Sequence, residues 1–168
     1  NSSMLVIADA ERPIAIAGVM GGEETGVTMV TTDVVIESAT FDPVSIRKTA
    51  RTLQLSSDSQ LLFEKGLSTE STQAALARAV QLIQQIAGGT VSSEVISIRR
   101  EPYHPLETVF DANDARRRIG VEIEEKVMVD ILERLGFTLE HKKSSSYTVF
   151  VPSWRDHDIE YNIDLVEE

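Results

Sequence analysis

Glu37 is the side chain with the clearest chemical potential. It stands in the run VVIESA, a carboxylate among Val, Ile and Ala. A half-buried carboxylate needs a partner, because burying an unpaired charge is costly. Two partners are open: an arginine of the next segment, Arg47 or Arg51, or a polar group of a substrate. A site built to hydrogen-bond a hydroxyl rejects analogues lacking it by up to ~10⁴–10⁵. Just upstream, Gly21, Gly22 and Gly26 make a loop with permissive backbone. The loop matches neither GxGxxG nor the phosphate loop. It reads either as a tight turn or as a backbone surface that lets a ligand come close.

A second set of carboxylates closes the chain. Asp164, Glu167 and Glu168 are spaced i, i+3, i+4, which a helix places on one face, and Asp158 precedes them. A hard cation such as Mg²⁺, keeping several of its waters, suits such a group. An exposed acidic helix start, favoured by the helix dipole, also accounts for it. Arg47, Lys48 and Arg51 read as a solvated helix face or a local phosphate contact. His104, His141 and His157 lack metal-ligand spacing, and no serine or cysteine nucleophile arrangement is present. Trp154 reads as a core anchor.

The bulk properties narrow the class. A length of 168 residues fits one or two domains. With 42% hydrophobic and 26% charged residues the chain can form a packed core. It has no cysteine, which excludes a disulfide framework and cysteine-bound zinc and suits a reducing, cytoplasmic setting. No apolar run reaches the ~18–20 residues of a membrane span, and no signal-peptide pattern opens the chain. The net charge is −11. Residues 1–103 carry −4 and residues 104–168 carry −7, so neither part should bind nucleic acid tightly through phosphates alone, and any RNA contact must use local patches or other parts of the molecule. The opening Asn1-Ser2-Ser3-Met4 and the closing DLVEE both read as cuts within a larger protein.

Several elements must position these residues. Leu5–Ala8 and Pro13–Val19 read as buried strands about a turn at Glu11-Arg12-Pro13. Asp33–Ala39 reads as a strand with Val35 and Glu37 on one face. Asp42-Pro43 predicts a capped helix with Ile46, Ala50 and Leu53 as its apolar stripe. Ser56–Gly66 follows as a polar loop. A second helix starts near Ser68-Thr69, points Leu76, Val80, Ile83 and Ala87 inward, and stops at Gly88-Gly89. Thr90–Ile98 reads as a strand. Arg99–Leu106, with two prolines, reads as a linker. Beyond it come a strand at Thr108–Asp111 and a helix at Asp114–Ile119. An amphipathic helix at Glu124–Leu135 points Val127, Ile131, Leu132 and Leu135 inside. A hairpin pairs Phe137–Glu140 with Tyr147–Val151, and a last helix begins near Glu160. This order resembles a winged helix-turn-helix. The expected class is α+β: a mixed-sheet module over 1–103, then a smaller winged-helix-like domain over 104–168.

Four strings, IAIAGVMGGEETGVT, VVIESATFDPVSIRKTAR, LFEKG and VPSWRDHDIEYNIDLVEE, together resemble the beta subunits of bacterial phenylalanyl-tRNA synthetases. The resemblance spans essentially the whole chain. It implies that 1–103 is most of an editing module, lacking its N-terminal part, which hydrolyses tyrosine wrongly attached to tRNA(Phe). It implies that 104–168 is the following winged-helix-like domain, cut in its last helix. The family's editing pocket maps onto Gly21, Glu37 and Ser59, with Glu37 reading the tyrosine hydroxyl. Its Mg²⁺ carboxylates, a site shared with the alpha subunit, map onto Asp158, Asp164, Glu167 and Glu168. The implied partners are the alpha subunit and tRNA(Phe), with no membrane and no DNA. ATP belongs to the parent ligase and its alpha subunit, so this chain should not aminoacylate. Where the family reads Thr-Asp-Ala-Ser and Arg-Phe/Tyr-Glu-Arg-Gly, this chain has Ser57-Asp58-Ser59-Gln60 and Leu62-Phe63-Glu64-Lys65-Gly66. Those departures motivate an alternative: a non-catalytic structural or tRNA-binding module with a decayed pocket.

Overall fold

A computed structural model describes residues 2–168. The chain forms two compact units, one running to Ile96 and the other spanning Ser97–Glu168. Both mix helices with small antiparallel sheets, an α+β organisation.

In the first unit, β1 (Val6–Ala8), β2 (Pro13–Ile16) and β3 (Met20–Gly21) make a three-stranded antiparallel sheet in sequence order. The turn between β1 and β2 is closed by Asp9, whose carboxylate accepts from the backbone amides of Glu11 and Arg12, both at 2.8 Å. Helix α1 (Pro43–Leu53) has the predicted cap: Asp42 accepts from the Ser45 amide at 2.7 Å, and Pro43 occupies the first helical position. Ile46 and Ala50 are buried as expected. The third member of the inward face is Thr49, while Leu53 lies on the exposed side.

The expected polar loop after α1 contains a short helix, α2 (Asp58–Phe63). Ser57 caps it by accepting from the Gln60 amide at 3.1 Å, and its hydroxyl also donates to the Val19 carbonyl at 2.5 Å. That bond fixes α2 against the end of the sheet. Val19, Ile46 and Ala50, packed with Ile16, Phe41, Leu55 and Phe63, form the core of this unit.

Two predicted strands do not form. Residues 33–39 have no regular structure, and Val35 is 99% exposed. Residues 90–98 are likewise irregular and exposed. A strand exists only through a ladder to a neighbour. Among the described residues neither segment has one. Helix α3 (Ser71–Ala87) starts two or three residues later than expected. It buries no residue, and Ile83 and Ala87 of its predicted inward stripe are exposed.

The second unit follows the predicted order closely: β4 (Glu107–Asp111), α4 (Ala112–Ile119), α5 (Glu125–Arg134), β5 (Thr138–Lys143), β6 (Ser146–Phe150) and α6 (Asn162–Glu167). The antiparallel sheet runs β4-β6-β5, with Val109 opposite Thr148 and His141 opposite Tyr147. Asp111 caps α4, and Gly120 ends it in the left-handed region at φ 79°. Along α5 the inward phase differs from expectation. Met128 and Leu132 are buried, whereas Val127, Ile131 and Leu135 are exposed. Leu132 packs with Phe110, Phe137, Val149, Ile159 and Leu165 in one core. Trp154 is 59% exposed rather than an interior anchor. One ring edge lies on Gly136, where a Cβ would come within 2.8 Å of Trp154 Cζ2.

Candidate functional site

Gly21 lies on β3, opposite Ala15. A Cβ built there would meet no atom within 4 Å, and its backbone is not left-handed. Packing among the described residues therefore places no demand for glycine at this position. Gly22 differs: a Cβ there would come within 2.5 Å of the Ile14 carbonyl oxygen, and its amide donates to that same oxygen at 2.8 Å. The loop is therefore pinned at Gly22 and open at Gly21. Glu23–Thr25 continue it as a 3₁₀ turn, and Arg12 forms an ion pair with Glu24.

Glu37 is exposed within an irregular segment, and its carboxylate forms no ion pair or hydrogen bond among the described residues. The arginine partner considered from the sequence is engaged elsewhere. Arg47 reaches Glu64 at 3.8 Å and the Glu64 carbonyl at 3.4 Å, while Glu64 also accepts from the buried Gln60 amide at 2.7 Å. Arg51 lies exposed on α1. Nearby, Ser38 donates to the Thr72 carbonyl at 2.8 Å, which anchors the segment beside the start of α3.

Ser59 is exposed at the second position of α2. Among the described residues no hydrogen bond or ion pair joins Gly21, Glu37 and Ser59. Two concavities of this unit lie elsewhere. One lies beside α1, against Asp42, Val44, Ser45 and Lys48, and the other lies between Arg12–Ile14 and Gly22–Thr25.

In the second unit the four carboxylates have different tasks. Asp164 turns back to cap its own helix, accepting from the amides of Glu160 and Tyr161, both at 2.8 Å. The bond from Tyr161, then that from Glu160, holds its carboxyl below its ordinary range. Asp158 accepts from Arg155 Nε at 2.9 and 3.1 Å. Glu168 accepts from the same guanidinium through Nη2. Glu167 is exposed and has no partner among the described residues. Hydrogen bonding to Glu168 first, and to Asp158 next, raises the pKa of Arg155 further above its ordinary value. No group of three carboxylates or histidines among the described residues is placed to hold a metal ion. With Asp164 spent on a cap and two others on an arginine, these residues as placed do not fit a Mg²⁺ shell. Arg155 is the residue that organises these carboxylates. Its signal was the i, i+3 spacing to Asp158 in WRDHD.

Comparison with known proteins first places the chain in a class. Residues 1–88 match the family model of the B3/4 domain, and residues 108–168 match that of the tRNA synthetase B5 domain. Relatives narrow the class. The chain is 41% identical over 170 residues to the phenylalanine–tRNA ligase beta subunit of Carboxydothermus hydrogenoformans, covering 100% of this chain and 21% of that protein. It is 42% identical over 168 residues to that of Moorella thermoacetica, covering 100% and 20%. It is 42% identical over 164 residues to that of Staphylococcus epidermidis, covering 98% and 20%. The chain belongs to the phenylalanine–tRNA ligase beta subunit family. It spans about a fifth of the length of these relatives. No helix of the described residues is long and apolar enough to cross a membrane.

Proposed function

We propose that the first unit contributes to hydrolytic editing of Tyr-tRNA(Phe), with Glu37 accepting a hydrogen bond from the tyrosine hydroxyl. The observation that carries this reading is the unpartnered Glu37 carboxylate, whose structural alternative, Arg47, is committed to Glu64. Gly21 supports it, because nothing in the packing around it calls for a glycine. An open backbone there lets the aminoacyl end of a tRNA come close.

Telling Tyr from Phe requires one hydroxyl to be read. A carboxylate acceptor does this by favouring the ligand that completes its bond. With no side-chain nucleophile in place, hydrolysis uses a water positioned by backbone groups near Gly21 and by the tRNA itself. Aminoacylation with ATP belongs to the alpha subunit of the assembled ligase. This chain's part in that assembly is to support the alpha–beta contact and tRNA binding in the cytoplasm. No step here runs through Mg²⁺.

The experiment is deacylation of Tyr-tRNA(Phe) by the full heterodimer carrying Glu37→Ala. Loss of clearance with aminoacylation of phenylalanine intact is the expected result. Unchanged clearance would sink the role of Glu37. If the unsubstituted ligase itself fails to clear Tyr-tRNA, the non-catalytic reading holds, as the exposed Ser59 and the departures through Lys65 suggest.

A further inference from the structure

Arg155 is fastened from several sides. Its Nε bonds both oxygens of Asp158, and its Nη2 bonds Glu168. The guanidinium carbon lies 5.8 Å from the centroid of the Phe137 ring, and Phe137 belongs to the core. The Arg155 carbonyl accepts from the amides of Asp158 at 3.2 Å and Ile159 at 3.1 Å. Main chain and side chain thus hold the same turn. Ile159, at its end, is 2% exposed. The turn lies within the connection between β6 and α6, and Glu168 lies just past the end of α6. One side chain therefore ties the two ends of this segment together.

The chemistry is that of a resident cation. A guanidinium keeps its charge at any physiological pH and presents a rigid fork of donors that matches carboxylates. Mg²⁺ demands near-ideal octahedral geometry from oxygen ligands and gives up its waters reluctantly. Arg155 takes both oxygens of Asp158 and one oxygen of Glu168, so the charge of these carboxylates is already answered by a guanidinium.

We infer that Arg155 is the internal counter-cation of this segment, joining Asp158 to Glu168 in the place a divalent metal would take. The turn and the end of α6 are then held together without Mg²⁺. A metal seated between these two carboxylates would displace the guanidinium from that place. This inference is independent of the editing role proposed for Glu37.

The test uses this 168-residue chain. Thermal unfolding and isothermal titration are run with MgCl₂, against NaCl at equal ionic strength. The expected result is no saturable Mg²⁺ binding and no Mg²⁺-specific rise in Tm. Arg155→Met keeps an apolar stem over Phe137 but removes the charge, and it is expected to lower Tm. Arg155→Lys, which keeps the charge without the fork, is expected to recover part of that loss. Saturable Mg²⁺ binding by the unsubstituted chain, abolished by Asp158→Asn, would overturn the inference. So would an Arg155→Met chain as stable as the original. If Arg155→Met does not fold, the Mg²⁺ titration of the unsubstituted chain and the Tm of Arg155→Lys decide the matter.

Discussion

The Tyr147 hydroxyl donates to Glu125 Oε1 at 2.6 Å and so ties the start of β6 to the first turn of α5. His141, opposite Tyr147 across the ladder, meets its ring edge-on at 5.1 Å. Hydrogen bonding from Ser145 first, then from Tyr147, holds the Glu125 carboxyl below its ordinary value of 4.5. The same contact with Glu125 raises the Tyr147 phenol above 10.0. The signs are opposite and agree. A lowered carboxyl stabilises the fold above its unfolded pKa and loses that stability as pH falls through the folded value. A raised phenol stabilises below its unfolded pKa and loses that stability as pH rises through the folded value. Tyr147→Phe is therefore expected to be less stable than the original near neutral pH. The gap should close as pH drops below the carboxyl range and again in strong alkali. Urea unfolding across a pH series measures it, and a gap that does not change with pH would argue against the contact.

Gly18 joins β2 to the buried Val19 with φ 65°. A Cβ there would come within 2.8 Å of Ile46 Cδ1 and 2.9 Å of Phe41 Cδ2. Gly18→Ala therefore combines backbone strain with overpacking of the small core of the first unit. Each effect typically costs about 1–3 kcal/mol. A lower denaturant midpoint at unchanged slope is expected. In a core this small the loss should also weaken the packing of Phe41 and Phe63, whose rings meet edge-on at 5.0 Å.

The second unit was largely legible in the sequence because its signals are local. A cap at Asp111, glycines at Gly120 and Gly136 and alternating residues in a hairpin each specify their own element. In the first unit, the alternation in 33–39 expressed a strand preference, but a strand needs a neighbour that a single segment does not encode. The Ser57-x-x-Gln60 spacing is the signature of a helix start. It starts α2, at whose end the Glu64 carboxylate meets Arg47 at 3.8 Å. At the other end, the i, i+3, i+4 spacing of Asp164, Glu167 and Glu168 was real. It did not reveal that Asp164 would fold back onto its own helix start, or that Arg155 would reach Glu168 thirteen residues away.

The inward phase of α5 gives a sharp stability contrast. Leu132 is 2% exposed in the main core of the second unit, whereas Val127 is 45% exposed. Leu132→Ala should cost about 2–5 kcal/mol through lost burial and the cavity left behind. Val127→Ala should stay within about 0.5 kcal/mol, as surface substitutions away from special features do. Chemical unfolding of both variants checks the helix phase directly. Comparable losses would mean that α5 is rotated toward the stripe suggested by the sequence.

Gly21 separates a structural from a functional reading with one methyl group. Nothing lies within 4 Å of its Cβ position, and its backbone is not left-handed. Gly21→Ala is therefore expected to leave stability within about 0.5 kcal/mol. If the aminoacyl end of a mischarged tRNA approaches this backbone, the added methyl obstructs it. A loss of about tenfold in the clearance of Tyr-tRNA(Phe) corresponds to roughly 1.4 kcal/mol of transition-state stabilisation. The paired measurement is Tm of this chain and deacylation by the full heterodimer. A stable variant with impaired clearance and intact phenylalanine charging assigns Gly21 to the ligand. A stable variant that clears Tyr-tRNA at the original rate removes Gly21 from the proposed site and leaves Glu37 to stand on its own test.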